Sequence, residues 1–222
     1  MNKEEIENKI TELYRTILCR EPDERGLKYY SQKLMDKEIT FKEIKYLFFN
    51  SSEYLTLQSN KFLQYAPQFT TSLSDNDVQK MFDSIPGWYH DIQIGNAKTV
   101  DTRTSLNYQM WISQSIPLNL NGMKILDVGS NDGFYSFLCE SRGAKRIVAI
   151  DDEKYDVIHK NTNNLKRFQI LKKILNSKVD YRKMNVYDLS QLDESFDIAL
   201  LFGVYYHLEN PVLAFQQIFP KI

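Results

Sequence analysis

One stretch near the middle of the chain decides the fold: Ile125-Leu126-Asp127-Val128-Gly129-Ser130-Asn131-Asp132-Gly133-Phe134-Tyr135. Its apolar beginning predicts a buried strand, its glycines predict a tight turn, and its end predicts the start of a helix. A doubly wound α/β fold builds its nucleotide pocket at such a turn, at the carboxyl end of the first strand. The sequence therefore predicts a nucleotide pocket at this turn.

The segment that follows fits the same fold. Residues 147–150 predict a second apolar strand, and the acidic pair Asp151-Asp152 comes directly after it. An acidic side chain about 20 residues past the glycine turn is placed to hydrogen-bond a ribose diol. We expect Asp151 to bind the ribose and Asp152 to be the weaker member of the pair.

The glycine turn departs from the dinucleotide fingerprint G-x-G-x-x-G, in which backbone N–H groups close on a pyrophosphate. Gly129 and Gly133 stand four residues apart. Asn131 takes the place of the middle glycine, and Phe134 takes that of the last. A phosphate cradle is therefore poorly supported, although Asn tolerates the left-handed backbone of a tight loop. The carboxylate of Asp127 is suited instead to a cationic or amine-bearing ligand.

This turn resembles the first motif of the class I methyltransferases that depend on S-adenosyl-L-methionine (SAM), and the resemblance implies SAM as the cofactor. Residues 185–189 resemble the family segment that contacts adenine, with Asp188 at the exocyclic amine. Residues 196–211 resemble the fourth strand and its active-site loop. The implied cofactor-binding residues are Asp127, Gly129, Ser130, Asn131, Gly133, Phe134, Asp151, Asp152, Tyr187, Asp188, Phe202 and Gly203.

The loop after the fourth predicted strand, together with Trp88-Tyr89-His90, is similar to the group that includes the bacterial tRNA wobble-uridine methyltransferases. The methyl-acceptor pocket of this fold follows the fourth strand. An imidazole titrates near neutrality and can take a proton from an attacking hydroxyl. Aromatic clusters, in contrast, can line a pocket without taking part in the chemistry. Both interpretations stay open for the candidate catalytic residues, which are His207, Tyr206, Tyr89 and His90.

The first sixty residues predict an all-helical domain. Apolar residues recur at three- and four-residue spacing over residues 6–18. Asp23 is suited to cap a second helix, residues 40–43 (Thr-Phe-Lys-Glu) predict a capping box, and residues 51–54 predict a short fourth helix. The residues of the third helix expected to face inward are Phe41, Ile44, Leu47 and Phe48.

Several short motifs of this region resemble a small helical domain of bacterial surface-layer and glycan-associated proteins that is related to phycobilisome linker repeats. Among them are Arg20-Glu21-Pro22-Asp23 and Ser51-Ser52-Glu53-Tyr54. The resemblance implies recognition or assembly, whereas Arg15, Arg20 and Asp23 also suit an interhelical ion pair and a cap. The predicted organisation is a helical accessory domain over 1–60, a linker over 61–85 and the methyltransferase domain over 86–222.

Composition restricts location and partners. The net charge of -1 over 222 residues argues against strong polyanion binding, because phosphate affinity comes from clustered Lys and Arg. No apolar run approaches the roughly 20 residues of a membrane span, and the amino terminus lacks a signal-peptide pattern. Cys19 and Cys139 show no metal-ligand spacing, and we expect buried, reduced thiols in a cytoplasmic protein. His159 is expected to be an exposed helical residue.

The sequence stops directly after the helix that follows the fourth predicted strand, whereas family members continue with three further strands. The apolar run over residues 197–202 is typical of a fully buried strand, yet here it would lie at a sheet edge. We expect either a truncated chain or an edge covered by another chain, for example through self-association.

The sequence thus predicts a Rossmann-like α/β methyltransferase domain, incomplete after its fourth strand and helix, behind a small all-α domain. The favoured function is SAM-dependent methylation of a hydroxyl on a glycan precursor or another small molecule, an acceptor suggested by the accessory domain's associations. One alternative is a tRNA wobble-uridine modifying methyltransferase, which would need a basic surface. Another is a SAM-binding or interaction module without catalytic activity.

Overall fold

The computed structural model of the chain describes residues 2–152 and 163–222, apart from the side chains of residues 58–63. The described residues form two compact units, Met1–Gln64 and Tyr65–Ile222. His159, predicted to be an exposed helical residue, lies outside the described residues.

The first unit is helical, as predicted. Asn2 and Glu5 form a capping box on the first helix, and Asp23 caps the second by accepting a hydrogen bond from the Gly26 N–H at 2.8 Å. Each such cap stabilises a helix by about 1 kcal/mol. The predicted capping box at Thr40 is also present. The helices are α1 (Lys3–Ile17), α2 (Glu24–Met35), α3 (Phe41–Phe49) and α4 (Ser52–Leu63).

The core of the first unit follows the predicted stripe, with Ile10 and Ile44 fully buried. Leu47 is 46 % exposed, so its predicted inward orientation is wrong: it lies at the edge of the face that buries Ile44 and Phe48. The predicted ion pair is present, since Arg20 contacts both Glu53 and Asp23.

The second unit is built on a four-stranded parallel sheet, which confirms the predicted α/β class. A short antiparallel hairpin precedes it. The elements are α5 (Asp75–Asp83), β1 (Gln93–Ile94), β2 (Ala97–Lys98), α6 (Leu106–Ser113), β3 (Lys124–Val128), α7 (Phe134–Ser141), β4 (Arg146–Asp151), α8 (Asn164–Ile174), β5 (Asp180–Lys183), β6 (Ile198–Leu200) and α9 (Pro211–Ile218), with 3₁₀ segments at Val186–Gln191, Tyr205–His207 and Phe219–Lys221.

The strand order is β5-β4-β3-β6, so β3 and β4 lie at the centre. In the register, Leu126 of β3 lies between Val148 of β4 and Ala199 of β6. Because all pairs are parallel, the carboxyl ends of the strands meet at one edge of the sheet, where ligands bind in open α/β folds.

Alternate residues of β3 face opposite sides of the sheet. Ile125 packs into a core with α5, α7 and α8, while Leu126 packs into a second core with α9 and the Val186–Gln191 segment. Val78 and Phe82 of α5 belong to the first of these cores. The predicted linker over 61–85 therefore needs correction, because from Tyr65 onward these residues are part of the second unit.

β6 lies at an edge of the described sheet and has three residues, fewer than the predicted run. Cys139 is buried, but Cys19 is exposed, so the prediction of two buried thiols is wrong for Cys19. Within residues 2–152 and 163–222, no helix is long and apolar enough to cross a membrane.

Candidate active site

A cavity of about 460 Å³ lies at the carboxyl ends of the four parallel strands, a size typical of small-ligand sites. It brings together most of the residues selected from the sequence. Those that line it are Asp127, Gly129, Ser130, Asn131, Asp151, Asp152, Phe202, Gly203, Tyr89, His90, Tyr206 and His207.

Four predicted cofactor-binding residues do not line this cavity. Gly133 precedes α7 with φ 88°, and Phe134 is fully buried beneath the His90 ring. The hydroxyl of Tyr187 accepts a hydrogen bond from the Asn210 N–H at 2.9 Å, and Asp188 is exposed. The segment predicted to contact adenine, residues 185–189, follows β5, but the residues that line the cavity there are Asn185 and Val186, together with Met184 just before the segment.

The backbone N–H groups of the glycine turn are engaged within the protein. Those of Gly129 and Ser130 donate to the Ile150 carbonyl at 2.8 and 3.1 Å, and that of Gly133 donates to the Ser130 carbonyl. The N–H of Asn131 donates to Oδ2 of Asp151 at 2.8 Å. A phosphate cradle needs such groups to be available, so the turn is not built to hold a pyrophosphate.

Gly129 occupies a position that only glycine fits. Its φ of 74° lies in the left-handed region, and a Cβ added there would lie 2.3 Å from Cγ2 of Val204. The close approach lets the turn after β3 pack directly against the loop after β6. This packing forms the inner end of the cavity, here called the floor, which consists of the turn after β3 and the end of β4.

Within residues 2–152 and 163–222, three carboxylates line the cavity. Oδ2 of Asp127 accepts a hydrogen bond from the Ser136 hydroxyl at 2.5 Å, and Oδ2 of Asp152 accepts one from the Asn185 amide at 2.5 Å. Burial raises the pKa of Asp127 to about 6, and the Ser136 hydrogen bond opposes that rise. With Asp151 beside them, these groups make the floor acidic and suited to a ligand with an amine and a sugar diol.

Two buried polar atoms at the cavity have no hydrogen-bond partner in the described part of the chain: Oγ of Ser130 and Oδ1 of Asn131. A buried polar atom without a partner is costly unless a ligand or water satisfies it. Their place beside Asp127 and Asp151 fits the polar methionine and ribose portions of SAM.

Asp132 and His90 form a buried pair next to this floor. Nδ1 of His90 lies 2.5 Å from Oδ1 of Asp132. Burial acts to raise the pKa of Asp132, but the electrostatic interaction and hydrogen bond with the His90 ring, together with backbone N–H donors, outweigh it and lower that pKa below its ordinary value.

The outer part of the cavity is aromatic. Tyr108 and Tyr206 line it while 50 % and 61 % exposed, and Tyr89 lines it deeper. Burial raises the pKa of the Tyr89 hydroxyl, and Tyr206 and Tyr108 act in the same direction, so that hydroxyl stays protonated at neutral pH. Arg103 is the one Lys or Arg side chain among the described residues that line the cavity.

Sequence reasoning missed several lining residues. Arg103 and Tyr108 lie in the mixed segment before β3, where no motif marks them. Asn164, at the start of α8, is held by a hydrogen bond from Arg167 at 3.0 Å. Asn185 was also not selected, but its place two residues after β5 is a signal that could have identified it.

Comparisons with known proteins agree with this geometry. Residues 126–220 match the family described as a methyltransferase domain, and residues 5–58 match a domain of unknown function (DUF4214). Together with the sheet, the first match shows that the chain carries a class I SAM-dependent methyltransferase domain, and SAM is the cofactor of this domain.

Among curated proteins, the chain is similar to tRNA U34 carboxymethyltransferases. It is 31% identical over 101 residues to that of Campylobacter hominis, covering 46% of this chain and 33% of the relative, and 29% identical to that of Campylobacter concisus, covering 46% and 32%. The chain thus spans about a third of the length of these relatives. Among solved structures, it is similar to the N-terminal domain of EvdMO1 with SAH bound, at 16% identity and a TM-score of 0.49, covering 66% of this chain and 61% of that one.

Proposed function

We propose that the chain transfers the methyl group of SAM to a planar ring of the nucleobase class, which stacks at the aromatic mouth of the cavity. The observation that carries this proposal is the set of three tyrosine rings at the outer cavity, Tyr89, Tyr108 and Tyr206. Aromatic side chains bind unstacked bases through their faces, at about 1–3 kcal/mol per base.

The floor of the cavity holds the cofactor in this proposal. Asp151 hydrogen-bonds the ribose diol, Asp127 faces the amine, and Ser130 and Asn131 satisfy their buried polar atoms on the methionine and ribose portions. When bound, SAM supplies a methyl group activated on a sulfonium sulfur. The chain itself contributes alignment and exclusion of water at the junction of floor and mouth.

The names of the relatives support a nucleic-acid acceptor, since those proteins are named for a tRNA uridine. The net charge of -1, and a cavity at which Arg103 is the one Lys or Arg in the described part of the chain, favour recognition through the base over recognition through many phosphates. The hydroxyl of a glycan precursor, favoured by the sequence alone, has no comparable support at this cavity. Cytoplasmic location and self-association through the β6 edge remain predictions.

The experiment has two stages. Calorimetry with S-adenosylhomocysteine (SAH) tests the floor, and a pocket that releases no heat would contradict the whole proposal. Transfer of a radiolabelled methyl group from SAM to single-stranded RNA oligonucleotides then tests the mouth, with oligosaccharides of similar size as the matched acceptors. Label on the oligosaccharide alone would overturn the nucleobase class, and SAH binding without transfer to either would favour the non-catalytic alternative.

A further inference from the structure

Asp132 joins the glycine turn to the Trp88-Tyr89-His90 segment. Its side chain is fully buried, and Oδ2 accepts hydrogen bonds from the backbone N–H groups of Tyr89 at 3.1 Å and His90 at 2.9 Å. Oδ1 lies 2.5 Å from Nδ1 of His90. Both oxygens of this carboxylate are therefore used on one short segment of the cavity wall.

The ring of His90 is held in one orientation. It stacks on Phe134 with a centroid distance of 5.0 Å and an interplanar angle of 21°, and it meets Tyr135 edge-on at 5.2 Å. Since Nδ1 contacts Asp132, Nε2 is the ring nitrogen that remains. Nε2 has no hydrogen-bond partner among the described residues, and His90 lines the cavity.

His207, the other described histidine at the cavity, is different. It is exposed and lies in the short Tyr205–His207 segment. A general base needs a fixed position as well as a suitable proton affinity. The described contacts supply that position for His90.

We propose that Asp132 is a positioning residue that keeps a proton on Nδ1 of His90, so that Nε2 presents its lone pair to the acceptor as general base. This role rests on the proposed function. The acceptor loses a proton to Nε2 and gains the methyl group, while the positive charge of the sulfonium is lost, so protons and charge balance. The resulting imidazolium lies against the Asp132 carboxylate, which stabilises its charge.

The substitution Asp132→Asn tests this directly because the site dictates which way the new amide faces. The two backbone N–H donors of Tyr89 and His90 retain the amide oxygen on their side. The amide nitrogen must then face Nδ1 of His90 and donate to it. His90 is thereby forced to carry its proton on Nε2, and the base is lost while the hydrogen bonds to Tyr89 and His90 are retained.

The first readout is the tautomer of His90, measured by ¹⁵N NMR of the imidazole nitrogens in the full chain. The chain has three histidines, so the variants His159→Asn and His207→Asn assign the signals. We expect the Nδ1–H tautomer in the wild-type protein at neutral pH and the Nε2–H tautomer in Asp132→Asn. A wild-type Nε2–H tautomer would overturn the proposal.

The second readout separates binding from chemistry. In Asp132→Asn we expect SAH affinity within twofold of wild type and kcat lower by about 100-fold, the low end of what a general base contributes. The matched control is Asp197→Asn, whose carboxylate also accepts a backbone hydrogen bond, from Lys124 at 2.7 Å, but does not line the cavity. It should leave both quantities unchanged.

A switched tautomer with kcat within threefold of wild type would also overturn the proposal. If the wild-type chain binds SAH but methylates nothing, the proposed function fails, and the tautomer still decides whether Asp132 orients His90. Asp132→Ala is a poorer probe, because it leaves two buried N–H groups without an acceptor and destabilises the fold.

Discussion

On the floor of the cavity, formed by the turn after β3 and the end of β4, most polar groups are buried or half-buried and hydrogen-bonded within the protein, and Gly129 and Asp127 are closely packed. At the mouth, Tyr108 and Tyr206 are at least half exposed. The floor is thus specified by backbone geometry and buried charge, and the mouth by exposed aromatic surface. Changes to the floor should therefore lower the affinity for SAH strongly, whereas changes to the mouth should weaken only the binding of the acceptor.

The largest effect is expected from Gly129→Ala. The new Cβ would lie 2.3 Å from Val204 on a backbone with φ 74°, so the turn must shift. Left-handed strain and overpacking each cost about 1–3 kcal/mol, which together predict a loss of SAH affinity of about 100-fold by calorimetry. Gly122→Ala is the control, because it carries similar backbone strain at φ 81° with nothing within 4 Å. Equal losses of SAH affinity in both variants would contradict a role for the contact between Gly129 and Val204.

The next effect is on pH dependence, with Asp127 as its source. An ionised Asp127 favours the ligand amine, and its pKa is about 6. Because protonation of Asp127 removes this attraction, we expect the SAH dissociation constant to rise about tenfold as pH falls from 7 to 5. His90 and His207 also line the cavity, so Asp127→Asn is needed to show that the pH dependence disappears with this carboxylate.

The stability of the unliganded protein should change in the opposite direction. Asp127 has a pKa near 6 when folded and an ordinary value near 4 when unfolded. The folded state therefore binds the proton more tightly, and the contribution of this group to the free energy of unfolding increases as pH falls from above 6 towards 4. Denaturant titrations of wild type and Asp127→Asn across this range measure that difference; a contribution that increases with pH would contradict it.

A smaller effect is expected at the mouth. Tyr206→Ala should raise KM for an RNA acceptor about fivefold, the lower end of the value of one stacked base, because Tyr89 and Tyr108 remain. SAH affinity should stay unchanged. Tyr205→Ala is a matched control, since Tyr205 is adjacent and 54 % exposed but does not line the cavity. An equal rise in KM for both variants would remove the mouth from acceptor binding.

The floor was far more predictable from the sequence than the mouth. The strand, the turn and the acidic residue after β4 lie in one continuous stretch, where local chain geometry fixes their spacing. Asp127, Gly129 and Asp151 were therefore identified correctly as cavity residues. Tyr187 and Asp188 were not, because a 3₁₀ segment follows β5 and directs Asn185 to the cavity instead.

The mouth was only partly predictable, because tertiary packing brings its parts together. Tyr89 and Tyr206 were selected from the sequence, but Tyr108 lies in α6, about a hundred residues before Tyr206, and carries no local signal. Asp132 was passed over because its contacts with His90 join segments 42 residues apart. Long-range packing also explains why the segment of α5 was assigned to a linker. Its Ser- and Asp-rich surroundings suggested one, although Val78 and Phe82 are buried in the core of the second unit.

The smallest predicted effect concerns salt. A nucleic acid bound through a basic groove with six phosphate contacts would lose several hundred-fold in affinity between 50 and 200 mM salt, given a slope of about −0.7 per contact for single strands. Arg103 is the one Lys or Arg among the described residues that line the cavity, and the single phosphate contact that it would supply predicts a loss of about threefold. Arg103→Gln should remove even this dependence while leaving stacking intact. Fluorescence anisotropy with a labelled single-stranded oligonucleotide measures both slopes. A steep slope that persists in Arg103→Gln would mean that phosphates are bound outside the cavity, and that the mouth is only part of a larger RNA surface.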